Sequence, residues 1–204
     1  MHPNPIYRKE GRERNLAFAR DTGFGVLAIN AAEGPLMAHV PFILNAAGDL
    51  AELHLVRSNP IARALKAPQP VRLAVTGADS YVSPDWYGIE DQVPTWNYVA
   101  VHLTGMLEAR PAEELLDLLA RQSAVYEARL APKTPWKMDK MTPEARDKML
   151  RMIVPCQIRV TGIDGTWKLG QNKDEAVRLA AADQMAAHGF GTDPAVMAAL
   201  MRGV

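Results

Sequence analysis

Cysteine is almost missing from this chain. Cys156 is the only one among 204 residues, so no internal disulfide can form and none is needed at this length. An excess of one charge is missing too: 23 basic residues face 23 acidic ones. A nucleic-acid-binding domain normally carries a basic surplus, because phosphate contacts supply much of its affinity. The cluster Arg8, Lys9, Arg12 and Arg14 is interrupted by Glu10 and Glu13, as on a solvated helix face of mixed charge. Long apolar runs are absent, and nothing approaches the ~18 residues of a spanning helix. The opening MHPNPIYRKEGRER has no apolar stretch of the kind a secretory signal needs. Together these absences lead us to expect a cytoplasmic protein.

Several motifs are missing as well. There is no GxGxxG or GxxxxGK[ST] phosphate loop, no HExxH and no GxSxG elbow. The five histidines, His2, His39, His54, His102 and His188, show no metal-ligand spacing, so no metal is expected. Cys156 follows the apolar run MIVP and is expected in the core rather than as a nucleophile. Met138, Met141, Met149 and Met152 read as adaptable core or dimer packing rather than a cofactor site.

What is present is a set of short strands. GVLAIN (Gly25 to Asn30), PLMAHVPFIL (Pro35 to Leu44), LAELHLV (Leu50 to Val56), VRLAVT (Val71 to Thr76) and YVAVHLTGML (Tyr98 to Leu107) are separated by glycine-bearing turns, which favour antiparallel hairpins. After Pro111 the period becomes helical through Leu115, Leu118, Leu119, Gln122, Val125 and Tyr126. Thr142 with Pro143 opens a second helix. CQIRVT (Cys156 to Thr161) returns to β, Gly162 to Gly165 is expected to turn, and Thr166 to Leu169 continues as a strand. Helices follow from Asp174 to Gly189 and from Asp193 with Pro194. The short strands suggest a small barrel or a sandwich, and the order fits an α+β fold: a mainly antiparallel β-barrel with a helical insertion and C-terminal helices. A βαβ nucleotide fold does not fit it.

Three segments carry candidate chemistry, and each has a plain structural alternative. Ser80 to Gly105 gathers Tyr81, Trp86, Tyr87, Trp96 and Tyr98, with Pro84 and Pro94 stiffening the loop. It could wall a planar ligand or simply plug one end of the barrel. In HLVRSNP (His54 to Pro60), Arg57, Ser58 and Asn59 sit where a strand hands over to a helix start. They suit a phosphate, or Asn59 or Ser58 merely caps the helix. In TWKLGQNK (Thr166 to Lys173), Gln171 and Asn172 stand between Lys168 and Lys173. Their amides suit the edge of a flavin or another heterocycle, or the segment is a strand end running into a cap.

The run YVSPDWYGIEDQVPTWNYVAVHLTG resembles the signature of the PaiB family, described as FMN-binding negative transcriptional regulators. AHVPFIL, HLVRSNP and IRVTGIDGTWKLGQNK agree with it in order and spacing, over the chain to about residue 180. The resemblance implies an FMN-binding split barrel at residues 1–173, with its helical excursion at about 111–153, and a helical extension at 174–204. It also implies a homodimer with FMN at the interface and a regulatory role. Laid onto the matching segments, Arg57, Ser58 and Asn59 would take the phosphate. His39, Val40 and Pro41 with Trp96, Asn97 and Tyr98 would meet the ring. Lys168, Gln171 and Asn172 would close the site. DNA is a partner by resemblance, unsupported by charge: the C-terminal helix pair carries only Arg178 and Arg202. A flavin-dependent oxidoreductase acting on a small molecule is the alternative, and a barrel using another ligand such as haem is a third.

Overall fold

In β2 (Leu36–Leu44) Ala38, Val40, Phe42 and Leu44 turn inward, while Met37 and His39 face out. That period of two is what a half-buried strand requires. The same alternation runs through β1 (Phe24–Ile29) and β3 (Leu50–Val56). Three longer strands complete the set: β4 (Gln69–Val82), β5 (Thr95–Ala109) and β6 (Ile153–Lys168). The computed structural model describes residues 1–204. In it the strands close in the order β1-β2-β3-β6-β5-β4, a six-stranded barrel. Pairing is antiparallel, with Val26 opposite His39 and Ala74, Phe42 opposite Leu53, and Leu53 opposite Cys156. The fold is therefore α+β, as the order of elements predicts.

Residues fall into two compact units, Ala19–Val75 with Leu103–Ile163, and Met1–Phe18 with Thr76–His102 and Asp164–Val204. In the former, Leu27, Phe42, Leu53, Leu73, Leu103, Leu107 and Ile158 are essentially buried, each contributing about 1.5–3 kcal/mol of transfer free energy. The helical insertion is α3 (Leu115–Glu127) and α4 (Pro143–Leu150). Leu115, Leu118 and Gln122 of α3 are buried. The Tyr126 hydroxyl lies 2.6 and 2.8 Å from the Gly23 and Phe42 carbonyl oxygens, and Gln122 Oε1 is 3.1 Å from His54 Nδ1. Thr142 accepts from the Ala145 N–H and caps α4. Met149 and Met152 are exposed, not core.

In the other unit, α5 (Glu175–His188) and α6 (Pro194–Arg202) bury Ala181, Ala182, Met185, Met197, Ala198 and Met201 with Trp167, Leu169 and Val99. Three alanines in that cluster let the two helices approach closely. Arg178 is buried, and its guanidinium donates to the Met201 and Val204 carbonyls. Arg202 pairs with Asp183 at 2.8 Å. Both cations of this pair are thus consumed inside the unit. No helix of the chain is long and apolar enough to cross a membrane.

One expectation fails. Gly162 to Gly165 does not turn, and β6 runs unbroken through it. Gly165 serves a close approach instead. A Cβ there would lie 2.0 Å from Asn15 Oδ1, so glycine leaves room for that side chain.

Candidate functional site

A cavity of about 200 Å³ opens in the unit that holds both chain termini. Asn4 caps a short 3-10 turn, Pro5–Arg8, by accepting from the Ile6 N–H, and this turn presents Tyr7 to the cavity. The His2 ring packs edge-on against Tyr7 at 4.7 Å. Arg8, next in the turn, is tied to Asp164 at 3.0 Å. A second 3-10 turn, Pro84–Tyr87, supplies Tyr87. Asp91, Gln92 and Val93 come from the loop after it, Thr95 and Asn97 from β5, and Lys168 from the end of β6.

The remaining wall is the turn after β6. Gly170 has φ +80°, a left-handed conformation that glycine adopts freely. The Lys173 N–H closes the turn on the Gly170 carbonyl at 2.9 Å. Gln171 clamps it: its Oε1 accepts from the Leu169 N–H at 2.8 Å, and its Nε2 donates to the Trp167 carbonyl at 2.6 Å. Asn172 and Lys173 are thereby held toward the cavity.

Electrostatically the cavity is donor-rich. Lys168 Nζ donates to the Thr95 hydroxyl and lies 5.9 Å from the Tyr7 ring centre. Lys173 Nζ donates to Gln92 Oε1 and lies 5.1 Å from the Tyr87 ring centre. Neither lysine forms a salt bridge, and Asp91 is the sole carboxylate in the lining. Burial lowers the Lys168 pKa, since desolvation disfavours the charged form. Burial raises the Tyr7 and Tyr87 phenols, and Tyr7 adds a smaller push on Tyr87.

Of the residues singled out from sequence, Asn97, Lys168 and Asn172 meet around this cavity. Gln171 supports its wall from behind. Trp96 and Tyr98 do not join Asn97, because neighbours in a strand face opposite ways. Trp96 is 45% exposed and packs edge-on with Tyr81 and Phe190. His39, Val40, Pro41, Arg57, Ser58 and Asn59 belong to the other unit. Val40 is buried in its core, and His39 points outward, stacked at 6.4 Å on Phe24. Asn59 caps α2 (Pro60–Ala64), accepting from the Ile61 N–H at 2.9 Å. Arg57 spends two donors on the Arg151 and Ile153 carbonyls, and Ser58 is exposed. Sequence reading did not single out Tyr7, Asp91, Gln92 or Thr95 for a site. Tyr7 left one signal, as the lone aromatic in a polar N-terminal stretch.

The fold is that of a split-barrel protein, and the cavity in it is lined mainly by polar side chains. The family model described as "Putative FMN-binding domain" matches residues 1–162, and the chain belongs to that family. A curated relative, protease synthase and sporulation protein PAI 2 of Bacillus subtilis, is 30% identical over 187 residues, covering 91% of this chain and 89% of that protein. Among solved structures, the FAD and heme binding protein from Mycobacterium smegmatis superposes with TM-score 0.59 at 18% identity, over 91% of this chain and 82% of that one. The flavocytochrome Anf3 from Azotobacter vinelandii gives TM-score 0.58 at 14% identity, over 82% and 72%. These two likenesses are of fold.

Proposed function

We propose that this chain is a cytoplasmic, homodimeric, PaiB-like flavoprotein that binds FMN. The observation that carries the proposal is the family match across residues 1–162. The residues present fit part of such a ligand. Lys168, Asn97 and Asn172 offer an ammonium and two amides, which suit a phosphate or the carbonyl edge of a flavin ring. The cavity is smaller than the ~300–1,000 Å³ of sites that enclose drug-sized ligands, so it admits one end of FMN and not the whole. In the other unit Arg57 keeps three of its five N–H donors unspent, beside Ser58, and is a separate candidate for a phosphate. Bound flavin would supply the redox chemistry.

Dimerisation is supported by an apolar outer surface on β1 and β2. Phe24 is 51% and Met37 61% exposed, beside outward-facing His39 and Pro41. Such exposure on a sheet face is what an interface covers. The regulatory role implied by resemblance does not find its DNA reader in the helix pair, whose Arg178 and Arg202 are engaged internally. This favours flavin-linked redox on a small molecule, or regulation through flavin, over direct repression.

The test is reconstitution with FMN followed by gel filtration. Retention of the two-banded oxidised-flavin spectrum in a fraction of dimer mass is expected. FMN that elutes wholly with the solvent would overturn the flavin reading, and a protein peak of monomer mass would overturn the dimer. A gel shift at physiological salt should show no preference for any upstream sequence over a scrambled one.

A further inference from the structure

We propose that the cavity between Tyr7 and Tyr87 is a compact-anion site, seating a phosphate or carboxylate group against Lys168 and Lys173. The inference does not rest on the flavin reading. Each lysine has three N–H donors, and each meets one neutral oxygen acceptor, Thr95 Oγ1 for Lys168 and Gln92 Oε1 for Lys173. No carboxylate neutralises either. Partly buried positive charge without a counter-charge is unfavourable unless a ligand supplies one. Asp91, the only acid in the wall, leaves the two ammonium groups in excess.

Further donors surround them. The Tyr7 and Tyr87 phenols keep their protons under burial, and Asn97 and Asn172 contribute amides. The volume of about 200 Å³ admits a phosphate or a small dicarboxylate. The walls are prepared in advance, since the Gln171 clamp and the Arg8–Asp164 pair hold the two segments that carry the lysines and Tyr7. Pre-organised, charge-assisted donors of this kind give anion sites their strength. The anion has two chemically equivalent sources: the phosphate of a flavin nucleotide, or a free small phosphate or carboxylate.

The experiment titrates the intact, flavin-free protein with inorganic phosphate and with succinate, followed by amide NMR and calorimetry. Saturable shifts confined to Tyr7, Tyr87 and residues 91–97 and 168–173 are expected. Lys168→Met and Lys173→Met should each weaken phosphate about tenfold or more, as loss of a charge-assisted contact does, with Lys168→Arg restoring much of it. Shifts that are absent, or scattered over surface lysines, would overturn the proposal without needing any variant to fold. The source is then read from FMN and riboflavin titrations in saturating phosphate. FMN weakened with riboflavin unchanged supports the proposal with the nucleotide's phosphate as occupant. Both unchanged, with phosphate still bound, supports it with a free anion as occupant. Because phosphate binding is scored before any flavin is added, a failure of flavin binding cannot be mistaken for a failure of this site.

Discussion

Replacing Gly165 by alanine tests whether the strand there is shaped by Asn15. The new Cβ would fall 2.0 Å from Asn15 Oδ1, 2.6 Å from its Cγ and 2.8 Å from its Nδ2. All three are far inside van der Waals contact, so the Asn15 side chain must leave. Asn15 is only 5% exposed. Its Oδ1 accepts from Trp167 Nε1 at 2.8 Å, and its Nδ2 donates to the Glu10 carbonyl at 3.2 Å. Displacing it strands the indole N–H of a tryptophan that is 4% exposed. An unsatisfied buried donor costs about 1–3 kcal/mol, and overpacking adds about 1–3 kcal/mol. Gly165→Ala should therefore cost about 2–6 kcal/mol in urea unfolding. Asn15→Ala removes the clash partner and itself costs about 1–3 kcal/mol, for the same stranded indole. The double variant should be markedly less destabilised than the sum of the singles, because the clash and the lost acceptor are counted once. Strict additivity, or a Gly165→Ala cost under about 0.5 kcal/mol, would refute the reasoning.

Two further expectations concern titratable groups. Burial pushes the Cys156 thiol up to about 12, so almost no thiolate exists at pH 8 and a disulfide reagent should label the native protein orders of magnitude more slowly than the urea-unfolded chain; equal rates would contradict the burial. Burial lowers the His54 pKa, and its contact with Gln122 only partly offsets this. The unfolded chain then binds the proton more readily than the fold, so the contribution of His54 to stability is complete above the usual histidine value of about 6.5 and is lost as pH falls through the lowered folded pKa. His54→Gln should show a shallower loss of melting temperature between pH 7.5 and pH 5, read by calorimetry; an unchanged slope would exclude His54 as a source.

Local chemistry was legible without any structure. The strand run PLMAHVPFIL, the Thr142-Pro143 start and the Asp193-Pro194 start each act within a few residues, and β2, α4 and α6 begin or run where those signals stand. The order of strands and helices sufficed for an α+β fold with antiparallel hairpins, because hairpins and insertions are consequences of chain order, while the choice of barrel over sandwich leaned on the family resemblance. Lys168 and Asn172 could be named because amides and lysines advertise their donors in any context, and Asn97 only through the family resemblance. What required the tertiary structure was everything depending on distant residues meeting. The segment Gly162 to Gly165, expected to turn, continues β6, and the glycine at 165 answers to Asn15, far away in sequence, which fills the space a side chain would take. Arg178 looks like a free cation in the sequence, yet it spends its donors on carbonyls at the chain's end. The cavity draws its walls from the N-terminal turn, the 84–97 segment and the end of β6. No local pattern relates those three, since only the closing of the chain around a shared core brings Tyr7, Tyr87 and the two lysines to one place.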